Sequence, residues 1–342
     1  MLPNLAAWFY IILLAIFLVL TAAIGERFWI TAAALYTPPT LWFLPALVLL
    51  PLSFFVKSRA AFAQFLCVLA LAIFWMPFRW SRWTLRENNR VGNNPTLVCV
   101  TNNVAENNHQ SLQPFLDAER PDIIALQDAA FRGGAYQRAY PDRFVAERDQ
   151  FILISKFPIR NVTLLPTLRW EGAPIAALFE LDWENQPLVI YNVHMPTPRP
   201  ALSKIMGGGS VARELLGHNA SDPQNTSFAH DMAMRVELAR GLAKVFDEEK
   251  RPFLAMGDFN APDHGYVHRL IASRLIDAFK KNGRGFGWTF PGNMHNPLSL
   301  FGPWLRIDYL FAGRGFAPVY ARTEPSRRSK HRAVSARFEM VK

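Results

Sequence analysis

The chain has 342 residues, 51% of them hydrophobic, and a formal net charge of +10. Its two cysteines, Cys67 and Cys99, each lie inside an apolar run, which excludes a scaffold stapled by their disulfide, and no internal repeat marks a solenoid. The basic excess favours anionic partners, whether phosphates, nucleic acid or lipid head groups, without choosing among them.

The first 78 residues are an apolar block. Leu5 to Ile24 is a stretch of about 20 residues, enough to cross a hydrocarbon core, broken only by Thr21. Leu41 to Phe55 is shorter and carries Pro45 and Pro51; Ile30 to Tyr36 lengthens it backwards. Ala60 to Phe78 follows, with Gln64 inside it. No positive residue precedes the first segment and further apolar segments follow it, which argues against a cleaved signal peptide. The expectation is a multi-pass membrane anchor of about three transmembrane helices over residues 1–78. Arg79, Arg82, Arg86 and Arg90 come next at helical spacing beside Trp80 and Trp83, the residues that a bilayer interface attracts. Residues 79–94 read as a juxtamembrane linker. Residues 1–78 hold Arg27, Lys57 and Arg59 against Glu26, which leaves +8 for the remainder.

Residues 95–342 are long enough for one large α/β domain, and their apolar runs end repeatedly in chemistry-bearing side chains. Leu97 to Thr101 runs into Asn102-Asn103, and Ile123 to Leu126 into Gln127-Asp128. Leu188 to Val193 ends at His194. An irregular stretch, Pro198 to Phe228, follows, with Gly207-Gly208-Gly209 and the apolar Met206, Val211, Leu215 and Leu216; it reads as a lid or a tether. His230 to Glu249 has the period of an amphipathic helix, with Met234, Leu238, Leu242, Val245 and Phe246 on its core face and Arg235 pointing toward the cleft. Pro252 to Met256 then delivers Gly257-Asp258-Phe259-Asn260, Trp304 to Ile307 delivers Asp308-Tyr309, and Ser329-Lys330-His331-Arg332 precedes the run Ala333 to Phe338. Carboxylates, amides and imidazoles gathered at strand ends suit hydrolysis of a phosphate ester, which needs an aimed water and donors or a metal on the phosphoryl oxygens.

These strings, with Ile154-Ser155-Lys156-Phe157-Pro158-Ile159 and Trp288-Thr289-Phe290-Pro291-Gly292, stand in the order found in the endonuclease/exonuclease/phosphatase superfamily, which the chain resembles over roughly residues 95 to 340. The resemblance implies a two-sheet α/β sandwich and a phosphoric ester hydrolase that uses Mg2+ or Mn2+. It implies that Asp258 aims or deprotonates water, that Asn260 holds the water or a phosphoryl oxygen, that His331 oriented by Asp308 stabilises developing charge, and that His194 donates to phosphate. Asn103 is implied at both substrate and metal.

Two positions depart from that pattern. The family's metal-binding Glu is here Asp128, one methylene shorter, and the Asp that precedes the final His is Lys330. Three outcomes stay open: Asp128 with Asn103 still holds the cation; the Lys330 ammonium takes the cation's place on the substrate phosphate; or the cleft binds phosphorylated ligands without turnover. Anchoring favours a membrane lipid as partner, a phospholipid or polyprenyl phosphate or pyrophosphate, over nucleic acid, which the basic charge and the cluster Arg327, Arg328, Lys330, Arg332 keep as the alternative. No protein partner is inferable. The positive-inside rule would leave the domain cytoplasmic. Resemblance to a membrane-anchored branch associated with glycopeptide-antibiotic resistance implies an extracytoplasmic domain, and this is the expectation adopted.

Overall fold

Apolar runs separated by Gly, Pro and Asn turns pair into two six-stranded sheets. The computed structural model describes residues 2–56, 60–76, 78–81, 94–104, 110–200, 202, 228–292 and 302–341. Arg82, Trp83, Arg86 and Arg90, and residues 203–227 of the irregular stretch, lie outside these. In chain order the strands of the two sheets are Thr96–Asn103 (β1), Ile123–Gln127 (β2), Phe144–Arg148 (β3), Phe151–Ser155 (β4), Ile159–Leu164 (β5), Ala176–Trp183 (β6), Gln186–His194 (β7), Phe253–Asp258 (β8), Ile276–Asp277 (β9), Asp308–Ala312 (β10), Phe316–Thr323 (β11) and Val334–Met340 (β12). One sheet runs β11-β12-β1-β2-β4-β3 and the other β9-β10-β8-β7-β6-β5.

The sheets pack face to face because their strands alternate. Leu97, Cys99, Ile123, Ala125, Phe151 and Leu153 of the first meet Phe179, Leu188, Ile190, Leu254, Met256 and Leu310 of the second in one buried cluster. Burying each large apolar side chain contributes about 1.5–3 kcal/mol. The intervening residues Val100, Ile124, Leu126, Ile152 and Ile154 face outward and are covered by Phe115 and Leu116 from the helix Gln113–Glu119. This is the two-sheet α/β sandwich.

At the heart of each sheet lies one parallel pair, β1 with β2 and β7 with β8, and the other pairings are antiparallel. Parallel strands send their C-terminal ends to the same edge. Asn103 therefore neighbours Gln127 and His194 neighbours Asp258, while antiparallel β10 brings Asp308 opposite Asp258.

On the outer face of the second sheet Arg251 binds Glu249 through two bonds, at 2.9 and 2.8 Å, and Glu180 at 2.6 Å, and Tyr191 donates to Glu249 at 3.0 Å. The Arg251 hydrogen bonds pull the Glu249 carboxyl down to about 2. A depressed carboxylate stabilises the fold above its unfolded value of 4.5, and that contribution disappears as pH falls toward 2. Arg251→Ala is expected to lower the melting temperature at neutral pH by a few degrees, about 1 kcal/mol after screening of a partly exposed guanidinium. Melting curves should converge with wild type as pH drops below the mid-fours; a difference that persists unchanged at low pH would assign the effect to packing.

A second compact unit gathers Met1–Phe78 with Pro198–Val236 and His264–Arg269. Its helices are Leu2–Ala23, Trp29–Leu35, Pro39–Phe55 and Ala60–Trp75. Among the described residues one helix is long and apolar enough to cross a membrane, Asn4–Ala23, with a mean hydropathy of 2.6. The other expected spans, Leu41–Phe55 and Ala60–Phe74, are shorter apolar helices. At 1.5 Å per residue they reach about 22 Å, against about 30 Å of hydrocarbon. Pro39 opens the third helix, Pro45 and Pro51 sit within it, and the fourth stops two residues before Pro77, whose ring disfavours helix in the residue preceding it. Within this unit Glu26 is fully buried and accepts the backbone N–H groups of Tyr266 and Val267.

The amphipathic helix spans Phe228–Glu248, and Leu238, Leu242 and Phe246 of its expected core face are buried, while Val245 is half-buried. Met234 is 39% exposed, and Met232, Arg235, Val236, Ala239 and Ala243 complete the buried side.

Candidate active site

Gly257 shapes the end of β8. Its φ is 143°, and a Cβ there would stand 1.9 Å from the carbonyl oxygen of Val193 on the paired strand. Without a side chain the strands stay close, and the next residue, Asp258, turns its carboxylate into the cleft. Oδ1 accepts the backbone N–H of Asn260 at 2.9 Å, a turn that puts Asn260 at φ 48°, where asparagine is one of the tolerated residues. The Asn260 amide donates to Met195 O at 2.8 Å. Oδ2 accepts from Asn103 Nδ2 at 2.9 Å and lies 3.8 Å from both His194 Nε2 and His331 Nδ1.

His331 is held from several sides. Its Nδ1 is 3.2 and 3.1 Å from the two Asp308 oxygens, and its ring lies 5.0 Å from that of Phe290. Its carbonyl accepts from Ser329 Oγ at 2.5 Å and from Arg327 Nη2 at 3.3 Å. Thr289 Oγ1 accepts the N–H of Asp308 at 3.3 Å, and Thr289 O accepts the N–H of Arg332 at 2.9 Å. Beneath the cleft Gln127 Nε2 donates to Asn192 Oδ1 at 2.6 Å, and Asn192 Nδ2 donates to Leu126 O at 3.0 Å. These buried amides tie the sheets together where a half-satisfied pair would be costly.

Burial raises the pKa of Asp308 above the usual carboxylate value, opposed by His331 and reinforced by the charge on Asp258. A raised carboxyl is a liability to folding: stability is fully present below the unfolded value of 3.8 and is lost as pH rises through the folded value. Asp308→Asn removes this burden while leaving an oxygen for the His331 ring. In metal-free buffer at neutral pH its melting temperature is expected to equal or exceed that of wild type, and the gap to close toward pH 4. Turnover is expected to fall at least about tenfold, since the ring loses its carboxylate. A variant both less stable and fully active would contradict this account.

The sequence-derived residues Asp258, Asn260, His331, Asp308, His194 and Asn103 thus stand together. Asp128 is exposed at φ 55° and stands outside the cluster with metal-ligating geometry, which is Asp258, Asp308 and His331, with ligand atoms all within 4.8 Å of one another. Two hard carboxylates and an imidazole fit a divalent cation such as Mg2+ or Mn2+. Arg235 does not join the described cluster: it is buried in the other unit and donates to Tyr36 Oη at 2.9 Å. Its place on the buried stripe of the helix, rather than the cleft-facing one expected, explains the difference. The Lys330 side chain is half-buried and its carbonyl accepts the N–H of Gly292 at 2.7 Å. Arg327 leaves the exposed basic cluster, because its guanidinium is buried against Glu324 at 2.8 Å and donates to Asn102 Oδ1 at 2.8 Å.

Residues 101–330 match the model of the Endonuclease/Exonuclease/phosphatase family. The chain belongs to this family. No curated protein matches it by sequence. Family proteins of known structure share its fold: one from Bacteroides thetaiotaomicron is 14% identical with a TM-score of 0.51 over 73% of this chain and 99% of its own. One from Leptotrichia buccalis is 15% identical with a TM-score of 0.51, over 71% of this chain and 100% of its own. D. rerio TDP2, complexed with single strand DNA product, is 12% identical with a TM-score of 0.50, over 71% and 98%. At these identities the likeness is one of fold.

Sequence reasoning missed Gln150, whose Oε1 lies 2.5 Å from His194 Nδ1. No apolar run ends at it. It also missed the buried pair of Arg306 with Asp277, at 3.0 and 2.7 Å, which fixes the chain just before Asp308.

Proposed function

We propose that the chain is a membrane-anchored, divalent-metal-dependent phosphoesterase acting on a phospholipid or a polyprenyl phosphate or pyrophosphate. The observation that carries this reading is the buried meeting of Asp258, Asp308 and His331 beside Asn103, Asn260 and His194. Asp258, fixed by the Asn103 and Asn260 N–H groups, aims the attacking water. His331, oriented by Asp308, donates to charge developing on the phosphoryl group or the leaving oxygen. Asn260 holds the water or a phosphoryl oxygen, and Lys330 neutralises substrate phosphate. A cation held by the carboxylates of Asp258 and Asp308, or by Asp128 with Asn103, would supply Lewis-acid neutralisation of phosphoryl charge.

The lipid part of the reading rests on the N-terminal helix, which leaves Phe9, Ile12, Leu13, Ile16 and Val19 exposed. Water makes such an apolar face costly and hydrocarbon does not. The shorter apolar helices pack with it as further membrane segments, on the pattern of the glycopeptide-resistance branch, with the catalytic domain extracytoplasmic. A reporter active only outside the cytoplasm, fused at Lys342, should give signal; signal from a cytoplasmic reporter alone would reverse the orientation and remove outer-leaflet pyrophosphates as substrates.

The second reading, a membrane-tethered nuclease, is favoured by the +8 charge of residues 79–342 and by the DNA product held by a fold neighbour. The withdrawal of Arg327 into an ion pair weakens it.

A further inference from the structure

The two ring nitrogens of His194 face two side-chain amides: Gln150 Oε1 stands 2.5 Å from Nδ1 and Asn103 Nδ2 stands 3.4 Å from Nε2. Which amide atom faces which nitrogen follows from the remaining partners. Asn103 Nδ2 also lies 2.9 Å from Asp258 Oδ2, and a carboxylate only accepts, so the atom beside His194 Nε2 is an N–H donor. Gln150 Nε2 donates to Pro174 O at 3.2 Å, and a carbonyl likewise only accepts, so the atom beside His194 Nδ1 is the amide oxygen. One hydrogen arrangement satisfies all four bonds. Nδ1 carries the ring hydrogen, and Nε2 presents its lone pair.

The main chain fixes Gln150 in turn. Its N–H donates to Asp149 Oδ1 at 2.7 Å, with Asp149 at φ 57°, and its carbonyl accepts from Ala129 at 3.0 Å. The amide clamp therefore comes from a tight turn rather than from a strand end, and it differs in kind from the carboxylate that Asp308 turns toward His331.

We propose that Gln150 is the positioning residue of His194, selecting its Nδ1–H tautomer so that Nε2 acts as a hydrogen-bond acceptor toward the cleft. His194 Nε2 and Asp258 Oδ2 are then two acceptors 3.8 Å apart, both steadied by one Asn103 amide. A water or hydroxyl donating into that corner finds two acceptors. His194 thus helps to hold the nucleophile, in place of the donor role to phosphate that the family resemblance implies. The consequence for turnover rests on the phosphoesterase reading; the tautomer does not.

The test uses the full chain in detergent micelles with 15N-labelled histidine, read by long-range 1H–15N correlation, His194 being identified by the signals lost in His194→Gln. Wild type should show the Nδ1–H pattern. Gln150→Leu should lose it, and Gln150→Glu, which still offers an oxygen to Nδ1, should keep it. On any phosphoester turned over, Gln150→Leu should lower kcat about tenfold or more, the scale for a group that orients a reacting one, with Gln150→Glu restoring most of the loss; KM should stay within roughly twofold. An Nε2–H pattern in wild type, or an unchanged pattern in Gln150→Leu, overturns the proposal. If Gln150→Leu does not fold, the wild-type and Gln150→Glu spectra decide. A chain that shows the Nδ1–H pattern but hydrolyses nothing keeps the inference and sinks the phosphoesterase reading instead.

Discussion

Asp258→Asn and His331→Ala should each lower turnover by at least about a hundredfold, the usual scale for a group that moves or aims a proton. Asp258 gathers an amide from Asn103 and a main-chain N–H from Asn260, with His331 Nδ1 3.8 Å away, so its charge is what the cleft is arranged around. Asparagine keeps the shape and loses that charge. His331→Ala removes the donor that Asp308 orients and leaves Asp308 buried without its partner. The two losses should be far from additive, because the residues act as a unit. Steady-state rates on purified, folded variants decide the matter: near-normal turnover in either one removes that residue from its role.

Gly257→Ala should cost both stability and activity. A side chain at φ 143° carries backbone strain of about 1–3 kcal/mol, and a Cβ 1.9 Å from Val193 O adds an overpacking cost of about 1–3 kcal/mol more. Relief requires β8 to separate from β7 at the point where His194 and Asp258 stand side by side. A shift of about 1 Å at reacting groups costs on the order of a hundredfold in rate. Thermal unfolding and kcat together test this; a variant that melts and turns over like wild type would show that the close approach is dispensable.

The positions that carry the proposed chemistry were legible because apolar runs stop at them. Asn103, His194, Asp258 and Asp308 are each the last or first residue of a strand, and a period-two pattern marks where a strand ends. The sandwich was legible only through the family resemblance that these strings carry. Less was visible where a partner is set only by tertiary contact. Gln150 sits in a turn, and its meeting with His194 depends on the two sheets being stacked. Arg327 looked like part of a solvated basic cluster, yet Glu324 three residues earlier turns it inward. On the amphipathic helix Leu238, Leu242 and Phe246 were read correctly as core, but Met232 and Met234 are equally apolar in composition, and only packing shows that Met232 is the buried one. The last apolar segment, Ala60 to Phe78, was read too long because hydropathy alone counts residues on both sides of Pro77, where the helix is Ala60–Trp75.

The central claim, hydrolysis of a lipid-linked phosphate by the Asp258 and His331 site, is met most directly by one comparison. Purified full-length chain, in mixed micelles with Mg2+ or Mn2+, is offered phospholipids and polyprenyl phosphates and pyrophosphates alongside single-stranded DNA, with Asp258→Asn as the control. The account predicts release of phosphate or head group from a lipid, abolished by a chelator and by Asp258→Asn, with DNA cleaved far more slowly. Preferential DNA cleavage that depends on Asp258 would make the chain a tethered nuclease, and an absence of hydrolysis on every substrate with either metal would contradict the enzymatic account.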